Sequence, residues 1–306
     1  MSMLRAFEPI WLLAAAGYAA RRWRLLGDTP LAVLGWFVFH LAMPAALFVR
    51  LSKTPLAGFD GRLLAAFGVS TAIAIGAGWY GAARFFDRKS GERAIWGMAC
   101  GYINAANLGI PIAAQVLGSV SFIVQVLLFQ TLIISPIILA VLDRHAEAGG
   151  TIRFGRLATL PFRNPVILGS ALGIAASATG FRAPTAVQTP LTFLSATAVP
   201  AALIALGASL YRRDPDRGTG RAEITAITTL KLVCQPAIAC AAGLLLGLSR
   251  PQLLAVVVCA GLPSAQNAFV FAQRYRVGEA LASRAVLVTT TLSLASIAGI
   301  VALIGR

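Results

Sequence analysis

Apolar residues along the chain gather into ten long runs separated by short polar bursts. The runs cover roughly 7–22, 31–49, 63–83, 94–117, 121–142, 165–180, 189–210, 224–248, 252–272 and 283–304. Each is close to the ~20 residues that a helix needs to cross the hydrocarbon core of a bilayer, although the sixth is short. The pattern predicts an all-α polytopic membrane protein with ten transmembrane helices and almost nothing outside the bilayer. The first run could pass for a signal peptide, but its basic cluster (Arg21, Arg22, Arg24) follows the apolar stretch instead of preceding it. It reads as a retained helix.

The polar bursts orient these helices. Connections following the odd-numbered runs hold 18 of the 26 Lys and Arg residues. The opposite side, with both termini, holds 7, and Lys231 lies inside a run. The positive-inside rule therefore places the richer connections in the cytoplasm and both termini outside. A bacterial inner membrane fits this arrangement.

Composition agrees with the pattern and removes rivals. The 306 residues are 58% apolar and 12% charged, with a mean hydropathy of +0.79. Average soluble chains carry about a quarter charged residues. The net charge of +15 is spread over the short connections, so no nucleic-acid partner is expected. Cys100, Cys234, Cys240 and Cys259 lie in apolar stretches without metal-ligand spacing. They read as buried thiols, and neither metal nor cofactor is expected. An intramembrane enzyme finds no support: His-Glu-x-x-His and Gly-x-Ser-Gly motifs are missing from the sequence, and its histidines are His40 and His145.

An internal repeat emerges from the spacing. Ala42-Met43-Pro44-Ala45-Ala46-Leu47 matches Ala198-Val199-Pro200-Ala201-Ala202-Leu203 at five of six positions, 156 residues apart. Pro111 and Pro263 lie 152 apart, and Cys100 and Cys259 lie 159 apart. Five spans per half would force the second half to run upside down, an inverted repeat of the kind transporters use. The halves would be 1–142 and 164–306, joined by a cytoplasmic linker at 143–163 with Gly149-Gly150 as its loosest point.

Polar groups inside the spans narrow the chemistry. None of the eleven acids lies near the centre of a span, which argues against a carboxylate proton relay or cation clasp. Lys231 sits about two turns inside the eighth span, where it either snorkels to the interface or supplies a fixed positive charge to an anion path. His40 is either a protonation switch or a hydrogen-bonded member of the bundle. The fourth span reads Gly101-Tyr102-Ile103-Asn104-Ala105-Ala106-Asn107-Leu108-Gly109-Ile110-Pro111. Pro111 lacks an N–H and would free the carbonyl of Asn107. The ninth reads Gly261-Leu262-Pro263-Ser264-Ala265-Gln266-Asn267-Ala268. Gly and Pro beside amides at mid-span predict broken helices, whose free N–H groups attract an anion. Pro44, Pro136, Pro200 and Pro236 read as packing kinks.

These motifs resemble the auxin efflux carrier family, which includes plant auxin exporters and bacterial malonate- or dicarboxylate-type permeases. Asn104 to Pro111 is similar to the family's Asn-x-x-x-x-Gly-Ile-Pro segment, and Val124-Gln125 with Gln130 to its fifth span. Arg163-Asn164-Pro165 resembles the opening of the sixth span. Lys231 stands five residues before Pro236, as a basic residue does in plant members. Leu262-Pro263, then Phe269-Val270-Phe271-Ala272 and Tyr275, resembles the ninth-span motif.

The resemblance implies ten helices in two inverted five-helix repeats, with broken helices 4 and 9 crossing at mid-membrane. It implies a scaffold of helices 1, 2, 6 and 7, a homodimer through helices 1, 2 and 7, and a moving domain of helices 3–5 and 8–10. Asn104, Gln130, Pro111 and Pro263 would fall near the substrate carboxylate or the crossover, with Gly109 beside them. Ala268 departs from the plant pattern, which has a second proline there, and the long hydrophilic loop of many plant members is missing. The expectation is a secondary carrier of small organic anions, working in efflux by an elevator-type movement. Asn104, Asn107, Gln130, Gln266 and Asn267 would bind the carboxylate, and Lys231 would bias the path toward anions. The alternative is a Na⁺- or H⁺-coupled carboxylate importer of the same fold.

Overall fold

The computed structural model describes residues 4–25, 30–53, 60–146, 165–211 and 220–305. The body of the linker, with Gly149-Gly150, and the Arg163-Asn164 pair lie outside the described residues. Every described element is helical, and the apolar runs coincide with helical structure from first to last. They comprise α1 (Leu4–Arg22), α2 (Pro30–Phe37), α3 (Met43–Leu51), α4 (Gly61–Phe85), α5 (Ser90–Gly101), α6 (Ile110–Val116), α7 (Ser121–Phe129) and α8 (Ser135–Ala146). The later part holds α9 (Pro165–Thr179), α10 (Thr185–Leu210), α11 (Arg221–Thr229), α12 (Gln235–Leu245), α13 (Arg250–Ala260), α14 (Asn267–Tyr275) and α15 (Glu279–Ile304). Six described helices are long and apolar enough to cross a membrane, the longest of them 26 residues. Shorter apolar helices cover Ala105–Val116, Pro165–Thr179 and Arg250–Ala260.

Prolines explain a recurrent irregularity. Four π-helical turns, Val38–Ala42, Ala105–Gly109, Gln130–Ile134 and Leu230–Cys234, each precede an α-helix whose second residue is proline: Pro44, Pro111, Pro136 and Pro236. At each junction an N–H reaches back five residues, as from Met43 to Val38 and from Gln235 to Leu230. Proline removes one donor and crowds the carbonyl four residues back; widening the preceding turn relieves the crowding. Pro200 differs, being carried within α10 without such a turn. The kinks expected at Pro44, Pro136 and Pro236 are thus π-turns. His40 sits in the first of them, with Nδ1 donating to the Trp36 carbonyl at 3.0 Å and its ring stacked on Trp36.

The helices pack in two groups. In the first, α1 lies along α10, and α3 lies against α9 and α10. Glycines let these backbones touch: a Cβ on Gly17 would lie 2.1 Å from the Ile204 carbonyl oxygen, and one on Gly207 would lie 1.9 Å from that of Ala14. Small residues are how apolar helices gain dispersion contacts when lipid gives no hydrophobic drive. The second group gathers α4, α5, α8, α11, α12, α13 and α15 around the buried Trp96, Phe67, Phe269 and Phe271. Phe39 meets Phe271 edge-on at 6.0 Å where the groups touch.

Polar clasps close the second group at both ends. Arg88 makes a two-pronged ion pair with Glu223, both contacts 2.8 Å, and a second with Glu92 at 3.1 Å. Tyr275 donates to Asp143 nearby; burial and that carboxylate push its phenol up from its ordinary value. At the other end Gln252 donates to Asp60 at 3.0 Å, while the Asp60 N–H donates to Gln125 at 3.3 Å.

Candidate functional site

Two helices stop in the middle of the second group, and their interruptions lie side by side. α5 ends at Gly101, and α13 ends at Ala260. Ile103 and Ser264 then form an antiparallel β-bridge. The Asn104 N–H donates to the Pro263 carbonyl at 2.9 Å, and the Ala265 N–H donates to that of Tyr102 at 3.0 Å. Backbone that has left its helix must find partners at this depth, and each interruption satisfies the other. The first interruption is centred on Tyr102–Asn104, well before Pro111. That proline is absorbed by the π-turn Ala105–Gly109 and stands at the start of α6. The second spans Gly261–Gln266 and contains Pro263; Ala268 is a fully buried second residue of α14.

Beyond the bridge two helical segments begin as neighbours. Asn104 is 4% exposed and caps the first, its Oδ1 accepting from the Asn107 N–H at 3.4 Å. Asn107 is half-buried, and its own Oδ1 accepts from Arg50 Nη2 at 3.4 Å. Gln266 precedes the second segment, and its buried Oε1 has no hydrogen-bond partner. Asn267 opens α14, half-buried, and is hydrogen-bonded to the Tyr102 side chain. Tyr102 thereby ties the first interruption to the start of α14, and its hydroxyl also pairs with Ser135 Oγ at 2.9 Å. Segment starts carry unsatisfied N–H groups and partial positive charge, so the place favours an anion.

Gln130 is placed differently. It is fully buried, and its Oε1 accepts from the Ile103 N–H at 2.7 Å while Nε2 donates to the Ile103 carbonyl at 3.1 Å. Its amide is therefore engaged by the backbone of the first interruption. At the second interruption the Ser264 N–H donates to Thr289 at 3.2 Å, and the Ser264 hydroxyl donates to the Ala99 carbonyl. Gly109 packs against the second interruption: a Cβ there would sit 2.7 Å from Ile123 Cδ1 and 3.0 Å from Leu262 Cδ1.

Lys231 is also fully buried, but its hydrogen bonds reach none of the three asparagines. Its ammonium donates to the Ala260 carbonyl at 2.9 Å and to Gln235 Oε1. Gln235 Nε2 donates in turn to the Gly101 carbonyl at 3.2 Å and to Thr71 Oγ1 at 3.3 Å. Lys231 and Gln235 thus sit on the closing carbonyls of α13 and α5, on the far side of the bridge from the amides.

The spacing motifs missed Arg50, Thr71, Gln235, Ser264 and Thr289. Arg50 had a readable signal, an arginine directly at the end of the run that holds Pro44, but it counts as a loop cation in the charge tally. The others are ordinary small or amide residues whose partners lie on distant helices. Among the described residues no group of three or more His, Cys, Asp or Glu could hold a metal ion.

Comparison with known proteins bears on this arrangement. The family model described as "Membrane transport protein" matches residues 3–152 and 156–301. A Rhizobium meliloti protein named "Putative malonate transporter" is 30% identical, covering 97% of this chain and 94% of that one. An "Uncharacterized transporter" of Methanothermobacter thermautotrophicus is 27% identical, covering 94% of each. The rice "Auxin efflux carrier component 3a" is 30% identical over 129 residues, which is 41% of this chain and 21% of that one.

Proposed function

Because this chain belongs to the membrane transport protein family, with the auxin efflux carrier resemblance of its motifs, we propose that it carries small organic anions across the cytoplasmic membrane by alternating access, in the direction of efflux. The observation that carries the reading is the pairing of two interrupted helices, from which two helical segments start beside Asn104, Asn107, Gln266 and Asn267. Substrate carboxylate oxygens accept hydrogen bonds only, and these amides and free N–H groups can donate. The guanidinium of Arg50 adds a charge with a fork that fits a carboxylate. Gln130 acts as a positioning residue, holding the first interruption open. The name of the Rhizobium relative makes malonate the first substrate to try.

The fold proposed for this work has ten membrane helices in two inverted halves. Its support is a correspondence of contacts. Gln130 serves the interruption at Ile103, and Thr289 that at Ser264. Asp60 at the head of α4 meets Gln252 near the head of α13, and Glu223 at the head of α11 meets Arg88 just before α5. In each case the two members of a pair recur in the other half at a spacing near 160 residues. The group of α1, α3, α9 and α10 would be the scaffold, and the group bearing the interruptions would move. A potential of 100 mV, negative inside, favours export of a monoanion by ~2.3 kcal/mol per charge.

The test is solid-supported-membrane electrophysiology on the purified chain in liposomes. Malonate, malate and indole-3-acetate are applied in turn, without and then with sodium and pH gradients. A saturable current of negative charge without a gradient is the expected result. Silence from folded protein with every anion would overturn the reading.

A further inference from the structure

The amides of the site face one side of the helix bridge, and a different chemistry lies on the other. α5 and α13 both end there, and the last carbonyls of a helix have no partner within it and carry partial negative charge. In carriers built on discontinuous helices, such ends coordinate the driving cation. Here the place is filled from within the chain. Lys231 Nζ donates to Ala260 O, the closing carbonyl of α13. Its second acceptor is Gln235 Oε1. The orientation of that amide follows from chemistry: the Gly101 carbonyl can only accept, so Nε2 must face it and Oε1 must face the lysine. Lys231 is completely buried, and both of its hydrogen-bond partners are neutral oxygens. A buried ammonium is costly unless something of opposite sign compensates it; the end of α13 supplies that directly, and the end of α5 through the Gln235 amide.

We propose that the Lys231 ammonium is a resident cation, seated on the helix ends where a coupling ion would otherwise bind, so that this chain runs its anion cycle without sodium. Neutral carbonyl and amide oxygens are ligands that a hard cation accepts. Lys231→Ala therefore opens a cation site instead of merely removing a charge. The deleted atoms correspond to propylammonium, which restores both charge and stem.

The test uses the full chain, purified in detergent, with thermal unfolding in choline, sodium or propylammonium chloride at equal ionic strength. Wild type and Lys231→Arg are expected to unfold at the same temperature in all three. Lys231→Ala is expected to unfold earlier in choline and to regain about 5 °C, saturably, with sodium or propylammonium. A variant that can be purified only when one of these cations is present gives the same answer. A saturable sodium response in wild type overturns the proposal. So does a Lys231→Ala protein that responds to neither cation, or that neither cation rescues. The transport arm rests on the carrier reading: malonate currents of Lys231→Ala should fall about tenfold in choline and return with sodium. Unfolding asks nothing about substrate, so a wild type without currents would sink the carrier reading and leave the cation result standing.

Discussion

The interruptions at Tyr102–Asn104 and Gly261–Gln266 share one backbone solution and differ in every side chain that finishes it. The first is clamped through both polar groups of Ile103 by a single fully buried glutamine, Gln130. The second is held by hydroxyls, with Thr289 accepting from the Ser264 N–H and the Ser264 side chain donating to Ala99. After the first, Asn104 caps the segment that follows and Arg50 reaches Asn107 from the other helix group. After the second, Gln266 leaves an acceptor unpaired. The helix entering the second interruption is closed by a cation, Lys231, and the helix entering the first by a neutral amide, Gln235. A paired backbone sets where the interruptions meet. On the proposed reading the side chains around it then divide the labour, with anion chemistry concentrated at the first and cation chemistry at the end of α13.

The clamps give the largest contrast. Gln130→Ala leaves the Ile103 N–H without a partner, takes one of two donors from the Ile103 carbonyl, which keeps the Ala105 N–H, and empties the space of a fully buried side chain. The orphaned N–H costs about 1–3 kcal/mol and the cavity left by the side chain adds to it, so a loss of roughly 2–5 kcal/mol is expected. Thr289→Val removes one acceptor from one N–H and should cost about 1–3 kcal/mol. Thermal or denaturant unfolding of the two variants in the same detergent checks the ordering. Equal losses would mean that the two interruptions are held alike.

Asn104→Ala comes next and is read in transport. The cap it removes is worth about 1 kcal/mol of stability, so the protein should still fold. If Asn104 donates to the substrate as well, malonate transport should fall about thirtyfold, close to 2 kcal/mol. Normal kinetics in folded Asn104→Ala would remove the first interruption from the site. Arg50→Gln should have a smaller effect, raising the KM for malonate about tenfold (~1.4 kcal/mol) with little change in unfolding temperature. Arg50→Lys should recover only part of that, because it keeps the charge and loses the fork. A KM unmoved by Arg50→Gln would leave the arginine as a contact between the helix groups.

How much of this was legible beforehand depended on range. The spans could be read because lipid demands long apolar runs, and α4 or α15 answers that demand almost residue for residue. The positions of trouble were legible too, since Gly and Pro beside amides stand out in an apolar stretch. The form of the trouble was not. Pro111 suggested an opening at its own carbonyl partner, whereas a π-turn absorbs the proline and the chain departs from helix earlier, at Tyr102. That shift is set by Pro263 and Ala265 of the second interruption, which no local pattern at 102–104 reports. Lys231 was conspicuous as the lone charge within a span, but what it bonds to is a carbonyl 29 residues away on another helix. Gln130 and Thr289 play matching parts with different functional groups, so a search for repeated residue types passes over them.

The smallest expected effect belongs to Gln266, and it separates structure from function most sharply. Its Oε1 is buried without a partner, a condition that costs free energy. Gln266→Leu replaces that group with an apolar one of similar length, so the unfolding temperature should stay level or rise slightly. A residue kept only for packing would gain from the change, and transport would be untouched. A residue kept for the substrate would show the reverse, a few-fold loss of malonate transport in a protein no less stable. Stability held or raised with transport reduced is the expected outcome. Transport preserved together with higher stability would confine the anion contacts to the first interruption, and the division of labour between the two would be complete.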